Sequence, residues 1–247
     1  MTTPQQTLLV LGGSSDIGRA AALAFAQAGW AIQLAGRNGE ALSRDAADIA
    51  TRSGQSVTTH TFDVLDTASH ESFIDALPRM PDCVLCAVGV LGDQRAAETD
   101  ATEAARVMRS NFEGPALILG AFAERFVARC QGGIIGISSV AGDRGRASNY
   151  VYGAAKAGFT AFLSGLRNRC FKAGVHVMSV NPGFVRTRMT AGLPLPKPLT
   201  AEPAQVGEAI FKAYTKGRDV IYVLPVWRLV MGIITTMPEA IFKRTKL

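Results

Sequence analysis

The 247-residue sequence holds only four cysteines, which excludes a disulfide-stapled secreted scaffold. It also lacks long apolar runs. No uninterrupted stretch reaches the roughly 18 residues that a membrane-spanning helix needs. No basic segment leads into an apolar one at the N-terminus, so no secretory signal is read and the cytoplasm is the expected compartment. Repeats, low-complexity tracts and breaks in composition are missing too. What remains is ordinary globular chemistry, 48% hydrophobic and 19% charged. At this length most of the unfolded surface can be buried without a metal or disulfide staple.

Two of the cysteines, Cys83 and Cys86, form a CxxC pair that suggests redox or zinc chemistry. The surrounding segment, Cys83-Val84-Leu85-Cys86-Ala87-Val88, reads as a buried strand. Side chains three apart on a strand point to opposite faces, so the two thiols are expected in separate parts of the core, with no metal between them.

Short apolar runs alternate with amphipathic stretches along the chain. Strands are expected near 8–11, 31–35, 57–62, 84–88, 134–138, 175–180 and 220–223. Helices are expected at 17–28, which Gly29 stops, at 39–53, from 102 to 120 and on towards 130, and at 150–173. This βα alternation predicts an α/β fold, a single-domain Rossmann-type doubly wound parallel sheet of about seven strands with helices on both faces. Residues 1–224 form that domain, and 225–247 form an apolar and basic tail.

The first strand runs into Leu11-Gly12-Gly13-Ser14-Ser15-Asp16-Ile17-Gly18 and then a helix. Glycines there let a pyrophosphate approach the backbone, and the positive end of the helix favours its charge. The second strand ends at Leu34-Ala35-Gly36-Arg37, without the Asp or Glu that usually holds a ribose 2′-hydroxyl. Arg37 offers a guanidinium fork suited to a 2′-phosphate, so NADP(H) is favoured over NAD(H). Asp63-Val64, after the third strand, sits where an adenine amino group is held, although a helix cap is an equally ordinary role for Asp63. Further on, Ser139 is followed thirteen residues later by Tyr152, with Lys156 four beyond it. Tyr152 and Lys156 share a helical face. A nearby ammonium is expected to favour the phenolate, and Ser139 to hold a substrate oxygen beside the phenol.

With these motifs the sequence resembles the short-chain dehydrogenase/reductase family over nearly its whole length. The family's glycine turn is similar to residues 11–18, its helix asparagine to Asn111, and its ISSxAG strand end to Ile137-Ser138-Ser139-Val140-Ala141-Gly142. Its YxxxK is similar to Tyr152-Gly153-Ala154-Ala155-Lys156, and its nicotinamide-side segment to Asn181-Pro182-Gly183-Phe184-Val185-Arg186-Thr187. The resemblance implies a catalytic tetrad of Ser139, Tyr152, Lys156 and Asn111. Tyr152 would act as acid/base, Lys156 would also bind the nicotinamide ribose, and Asn111 would hold a water. It further implies cofactor contacts from Gly12, Ser14, Ser15, Asp16, Ile17, Gly18, Arg37, Asp63, Val64, Ala87, Gly89, Pro182, Gly183, Val185 and Thr187. Three positions depart from the pattern. Leu11 replaces a threonine, Asp16 puts a negative charge beside the pyrophosphate site, and Cys86-Ala87-Val88-Gly89 stands for NNAG. A narrower likeness, carried by Gly89-Val90-Leu91-Gly92-Asp93-Gln94 and Gly165-Leu166-Arg167-Asn168-Arg169 among others, is to the branch containing decaprenylphosphoryl-2-keto-ribose reductases.

The implied activity is interconversion of a ketone and a secondary alcohol, on a small-molecule or lipid-linked, sugar-type substrate. Two alternatives are a soluble 3-oxoacyl or small-ketone reductase and a nucleotide-sensing protein without turnover. A homo-dimer or homo-tetramer is expected.

The net charge of +6 is uneven. Residues 1–166 carry 13 Lys/Arg against 16 Asp/Glu, and residues 167–247 carry 13 against 4. Arg167, Arg169, Lys172, Arg186 and Arg188 are expected to form an anion-facing side of the active site. The tail carries Trp227 at one end and Lys243, Arg244 and Lys246 at the other, around an apolar centre. It is suited to a membrane surface or to packing in the core or a subunit interface. Neither feature suggests nucleic acid. The loop at residues 191–199, rich in proline and leucine, is expected to lie over the substrate.

Overall fold

The computed structural model describes residues 5–245, so Lys246 lies outside the described residues. Seven short segments form the main sheet: β1 (Thr7–Leu11), β2 (Ala31–Gly36), β3 (Val57–Thr61), β4 (Cys83–Cys86), β5 (Gly132–Ile137), β6 (Val175–Asn181) and β9 (Val220–Tyr222). All pairings are parallel, in the order β3-β2-β1-β4-β5-β6-β9. Two short strands, β7 (Phe184–Val185) and β8 (Thr200–Ala201), pair separately.

The period of two sends alternate residues into two cores. Leu8, Val10, Ile32, Leu34, Leu85 and Met178 face α1 (Asp16–Gln27), α2 (Gly39–Ser53) and α8 (Pro203–Thr215). Leu9, Leu11, Val84, Ile134 and Val177 face α3 (His70–Asp75), α6 (Gly114–Ala128) and α7 (Tyr150–Cys170). Cys83 lies in the first core and Cys86 in the second, as strand alternation requires. The fully buried Phe25, Phe122, Phe126 and Phe159 anchor these layers, each contributing about 1.5–3 kcal/mol of transfer free energy. The result is a single α/β domain with helices on both faces.

Several elements differ from the sequence pattern, α3 and the β7–β8 pair among them. The helix expected from 102 onward is split into α5 (Ala101–Met108) and α6 by a π-turn at Arg109–Glu113, and a short α4 (Gln94–Thr99) precedes it. Helix α8 was not anticipated. Pro203 starts it with a preset φ, and Glu202 and Gln205 close a reciprocal capping box. The tail forms α9 (Val226–Thr236) and α10 (Glu239–Phe242). Trp227, Met231 and Ile234 of α9 are buried against Val140, Phe184, Leu199 and Leu224, so one face of this helix belongs to the core. Trp227 is only 3% exposed and does not stand at a surface as a membrane anchor would. No helix among the described residues is long and apolar enough to cross a membrane.

Candidate active site

The chain leaves β1 towards β2 and β3 on one side and later fills β4, β5, β6 and β9 on the other. The reversal opens a crevice at the carboxyl ends of β1 and β4, where such sheets bind ligands. A cavity of about 670 Å³ occupies it. Ser15, Asp16 and Ile17 line it at the first turn, Ala87 and Gly89 after β4, and Pro182, Gly183, Val185 and Thr187 beyond β6. Asn111, Ser139, Tyr152 and Lys156 open into the same space.

Gly12 turns the chain with φ +81°, and a β-carbon there would lie 2.9 Å from the Ala87 carbonyl oxygen. The N–H groups of Gly12 and Gly13 donate to the Ala35 carbonyl at 2.9 and 3.0 Å, tying the turn to β2 in the absence of a threonine hydroxyl. Ser15 caps α1. Its Oγ accepts from Gly18 N–H at 3.0 Å and donates to the Gly12 carbonyl at 2.7 Å. The Ser14 hydroxyl is buried without a partner. Asp16 does not stand as a bare charge. It accepts from the backbone N–H of Arg188 at 2.7 Å and from its Nε at 3.1 Å, while Nη2 of Arg188 donates to the Ser14 carbonyl. The pair neutralises the unusual carboxylate and links the turn to the segment 172 residues away.

Arg37 follows the end of β2, exposed and without a hydrogen bond or ion pair to the described residues. At the end of β3, Asp63 accepts from Leu65 N–H at 3.0 Å, so its carboxylate closes a turn and does not cap a helix. Val64 is buried in the second core. None of Arg37, Asp63 and Val64 lines the cavity; they lie past it along the sheet edge. A dinucleotide fits this layout. Free N–H groups at the start of α1, at the residues Asp16 and Ile17 that line the cavity, suit a pyrophosphate.

At the other end, the π-turn rotates Asn111 fully inward. Its Nδ2 donates to the carbonyls of Val90 (2.7 Å) and Val107 (2.8 Å), and its Oδ1 accepts from Val90 N–H at 3.3 Å. Ser139, at the end of β5, accepts from Ala141 N–H at 3.1 Å. Lys156 is buried, with Nζ donating to the Ile137 carbonyl at 3.0 Å and lying 5.8 Å from the centre of the Tyr152 ring. Burial lowers the Lys156 pKa to about 8. Burial also raises the Tyr152 pKa, opposed by the Ser139 hydroxyl and the charge of Arg146. The sequence alone predicts a phenol lowered by Lys156. In the free protein desolvation outweighs the nearby charges, and Tyr152 holds its proton.

The basic cluster of the last third is largely spent elsewhere. Arg167 donates to Val177 and Asp219 carbonyls and to Ser179, Arg169 pairs with Glu124, and Arg186 pairs with Glu202. Of the five cations only Arg188 lines the cavity. Sequence reasoning missed Arg146, Asn149 and Trp227, which do line it. The spacing of Arg146 and Asn149 between Ser139 and Tyr152 was the available signal.

The sheet order and its switch-point crevice put the protein in the nucleotide-binding α/β class. Residues 6–197 match the family model for short chain dehydrogenases. The chain belongs to the short-chain dehydrogenase family and is an oxidoreductase. An uncharacterized oxidoreductase of Mycobacterium tuberculosis is 34% identical over 240 residues, spanning 96% of both chains. Another from Streptomyces coelicolor is 35% identical over 248 residues, spanning 98% of this chain and 96% of the relative. The fold is shared with a short-chain dehydrogenase from Sphingobium yanoikuyae solved in complex with NADPH. Its TM-score is 0.81 at 23% identity, covering 95% of this chain and 97% of that one.

Proposed function

We propose that the protein reduces a ketone to a secondary alcohol with NADPH. The observation that carries this reading is the convergence of Ser139, Tyr152, Lys156 and Asn111 on the cavity that the glycine turn opens into. The bound cofactor supplies the hydride. Tyr152, kept protonated by burial, donates a proton to the carbonyl oxygen as charge develops there. The Ser139 hydroxyl donates to the same oxygen and fixes it beside the phenol. Lys156 binds the ribose next to the nicotinamide and returns positive charge to the phenolate, and Asn111, its amide fixed by Val90 and Val107, holds a water through its backbone that reprotonates it. Arg37 selects the 2′-phosphate, and the Asp16–Arg188 pair keeps the pyrophosphate site free of uncompensated negative charge.

Leu91, Leu193, Leu195 and Trp227 give the substrate end an apolar wall, which supports a bulky or lipid-linked substrate over a small one. Leu229 and Ile233 on the outward face of α9 are 67% and 59% exposed, and they support contact of this helix with a lipid surface. Met108 of α5, Phe112 of the π-turn and Leu117 of α6 are exposed, with Phe112 lying near Gly158 of α7, and they support a homo-oligomer. The test is loss of reduced-nicotinamide absorbance with a panel of ketones. NADPH-dependent reduction of any of them is the expected result. Tight NADPH binding without turnover across the panel would favour the sensor.

A further inference from the structure

Four charged side chains line the cavity: Asp16, Arg146, Lys156 and Arg188. Three are accounted for. Asp16 and Arg188 hold each other, and Lys156 is bonded to the Ile137 carbonyl. Arg146 has no hydrogen bond or ion pair to the described residues, and its Nε is buried without an acceptor. Asp143 lends it opposite charge at a distance without forming an ion pair, and accepts from the Tyr222 hydroxyl at 3.0 Å. A guanidinium stays charged in any protein environment, and the buried Nε–H of Arg146 carries a desolvation cost until an acceptor reaches it. In the same turn, closed by Asn149 N–H on the Arg146 carbonyl at 3.0 Å, the Asn149 Oδ1 is also buried without a partner.

The location points to the substrate. Arg146 stands in the segment between Ser139 and Tyr152, close enough for its charge to act on the Tyr152 phenol. The phosphate-binding features of the cofactor end, the first turn and Arg37, belong to other segments. Much of the remaining lining at the substrate end is apolar, from Leu91, Phe184, Met189, Leu193, Leu195 and Trp227. Building on the proposed reductase activity, we infer that Arg146 is the specificity-determining residue for an oxyanion, a phosphate, sulfonate or carboxylate, carried close to the reacting carbonyl of a substrate whose other side is apolar. The planar fork matches such a group with two parallel hydrogen bonds, and Asn149 sits beside it to take a neighbouring hydroxyl.

The experiment compares 2-oxoheptylphosphonate with its neutral dimethyl ester, which share the carbonyl and the apolar chain. The wild-type enzyme should prefer the phosphonate in kcat/KM. Arg146→Gln should lower the ratio of phosphonate to ester by about 10- to 100-fold, the range expected for a charge-assisted hydrogen bond. Most of the loss should appear in the KM of the phosphonate. Arg146→Lys should retain part of the preference, because it keeps the charge without the fork. An unchanged ratio in Arg146→Gln, with the ester still reduced, overturns the oxyanion role and leaves the reductase reading standing. Failure of the wild type to reduce the phosphonate, while it reduces neutral ketones of the panel, overturns the oxyanion role alone; failure with every ketone overturns the reductase reading as well.

Discussion

The contact between Gly183 and Trp227 tests how the C-terminal helix is built into the active site. Gly183 lies in the segment proposed to flank the nicotinamide, and the Trp227 indole lies directly on it. A β-carbon added at Gly183 would fall inside the van der Waals radii of Trp227 Cε2 and Nε1. The indole cannot simply retreat. It is 3% exposed, packs edge-on against Phe184 with ring centres 5.4 Å apart, and donates from Nε1 to the Leu199 carbonyl at 3.0 Å. Gly183 has ordinary negative-φ backbone, so alanine strains the contact and not the chain. Overpacking of this kind costs about 1–3 kcal/mol, which lowers the Tm of a protein of this size by about 2–12 °C. Trp227→Ala removes the indole and costs about 3–5 kcal/mol unless undocking of α9 caps the loss. In that background Gly183→Ala should cost almost nothing, giving a coupling of about 1–3 kcal/mol. Urea or thermal unfolding of the four cofactor-free proteins measures it. If Gly183→Ala destabilises equally with and without Trp227, the tail does not dock as described.

Arg37→Ala should weaken NADPH binding by about 10- to 150-fold, the loss of charge-assisted hydrogen bonds to one phosphate, and leave NADH binding nearly unchanged. Fluorescence titration of both cofactors checks this, and equal weakening would remove the 2′-phosphate role. Lys156 should titrate near pH 8 in the cofactor-free protein. Its folded pKa lies below the ordinary lysine value, so its buried ammonium opposes folding below pH 8, and this penalty is relieved as pH rises from about 8 towards 10.5. NMR of labelled lysines gives the titration directly, and a value near 10.5 would contradict the burial.

Much of this architecture is legible in the sequence because its cause is local. Strand alternation around Leu8–Leu11 and Cys83–Cys86 predicts both faces of the sheet, and the turn at residues 11–18 is recognisable from its glycines and cap. The spacing of Ser139, Tyr152 and Lys156 is legible for the same reason, since a strand end and one helix face place them. Contacts between distant segments are not. Asp16 reads as a flaw until Arg188 is brought onto it across the fold. The five basic residues of 167–188 read as one patch, but the fold sends four of them to carbonyls, carboxylates or solvent away from the cavity. The Gly114-Pro115 pair marks a break in the helix after Asn111, but nothing in the periodicity shows that the break is a π-turn that carries Asn111 inward. The Tyr152 pKa depends on how much water the closed cavity excludes, which spacing does not encode.

The measurement that bears most directly on the proposed chemistry is the Tyr152→Phe variant, assayed for NADPH binding and for ketone reduction side by side. Phenylalanine keeps the ring and removes only the proton that the carbonyl oxygen must receive. Cofactor affinity should stay within about threefold of wild type, while kcat falls by about 10²- to 10⁴-fold, the contribution of a positioned general acid. Wild-type turnover in Tyr152→Phe would show that the proton comes from elsewhere and that the site works by a different mechanism.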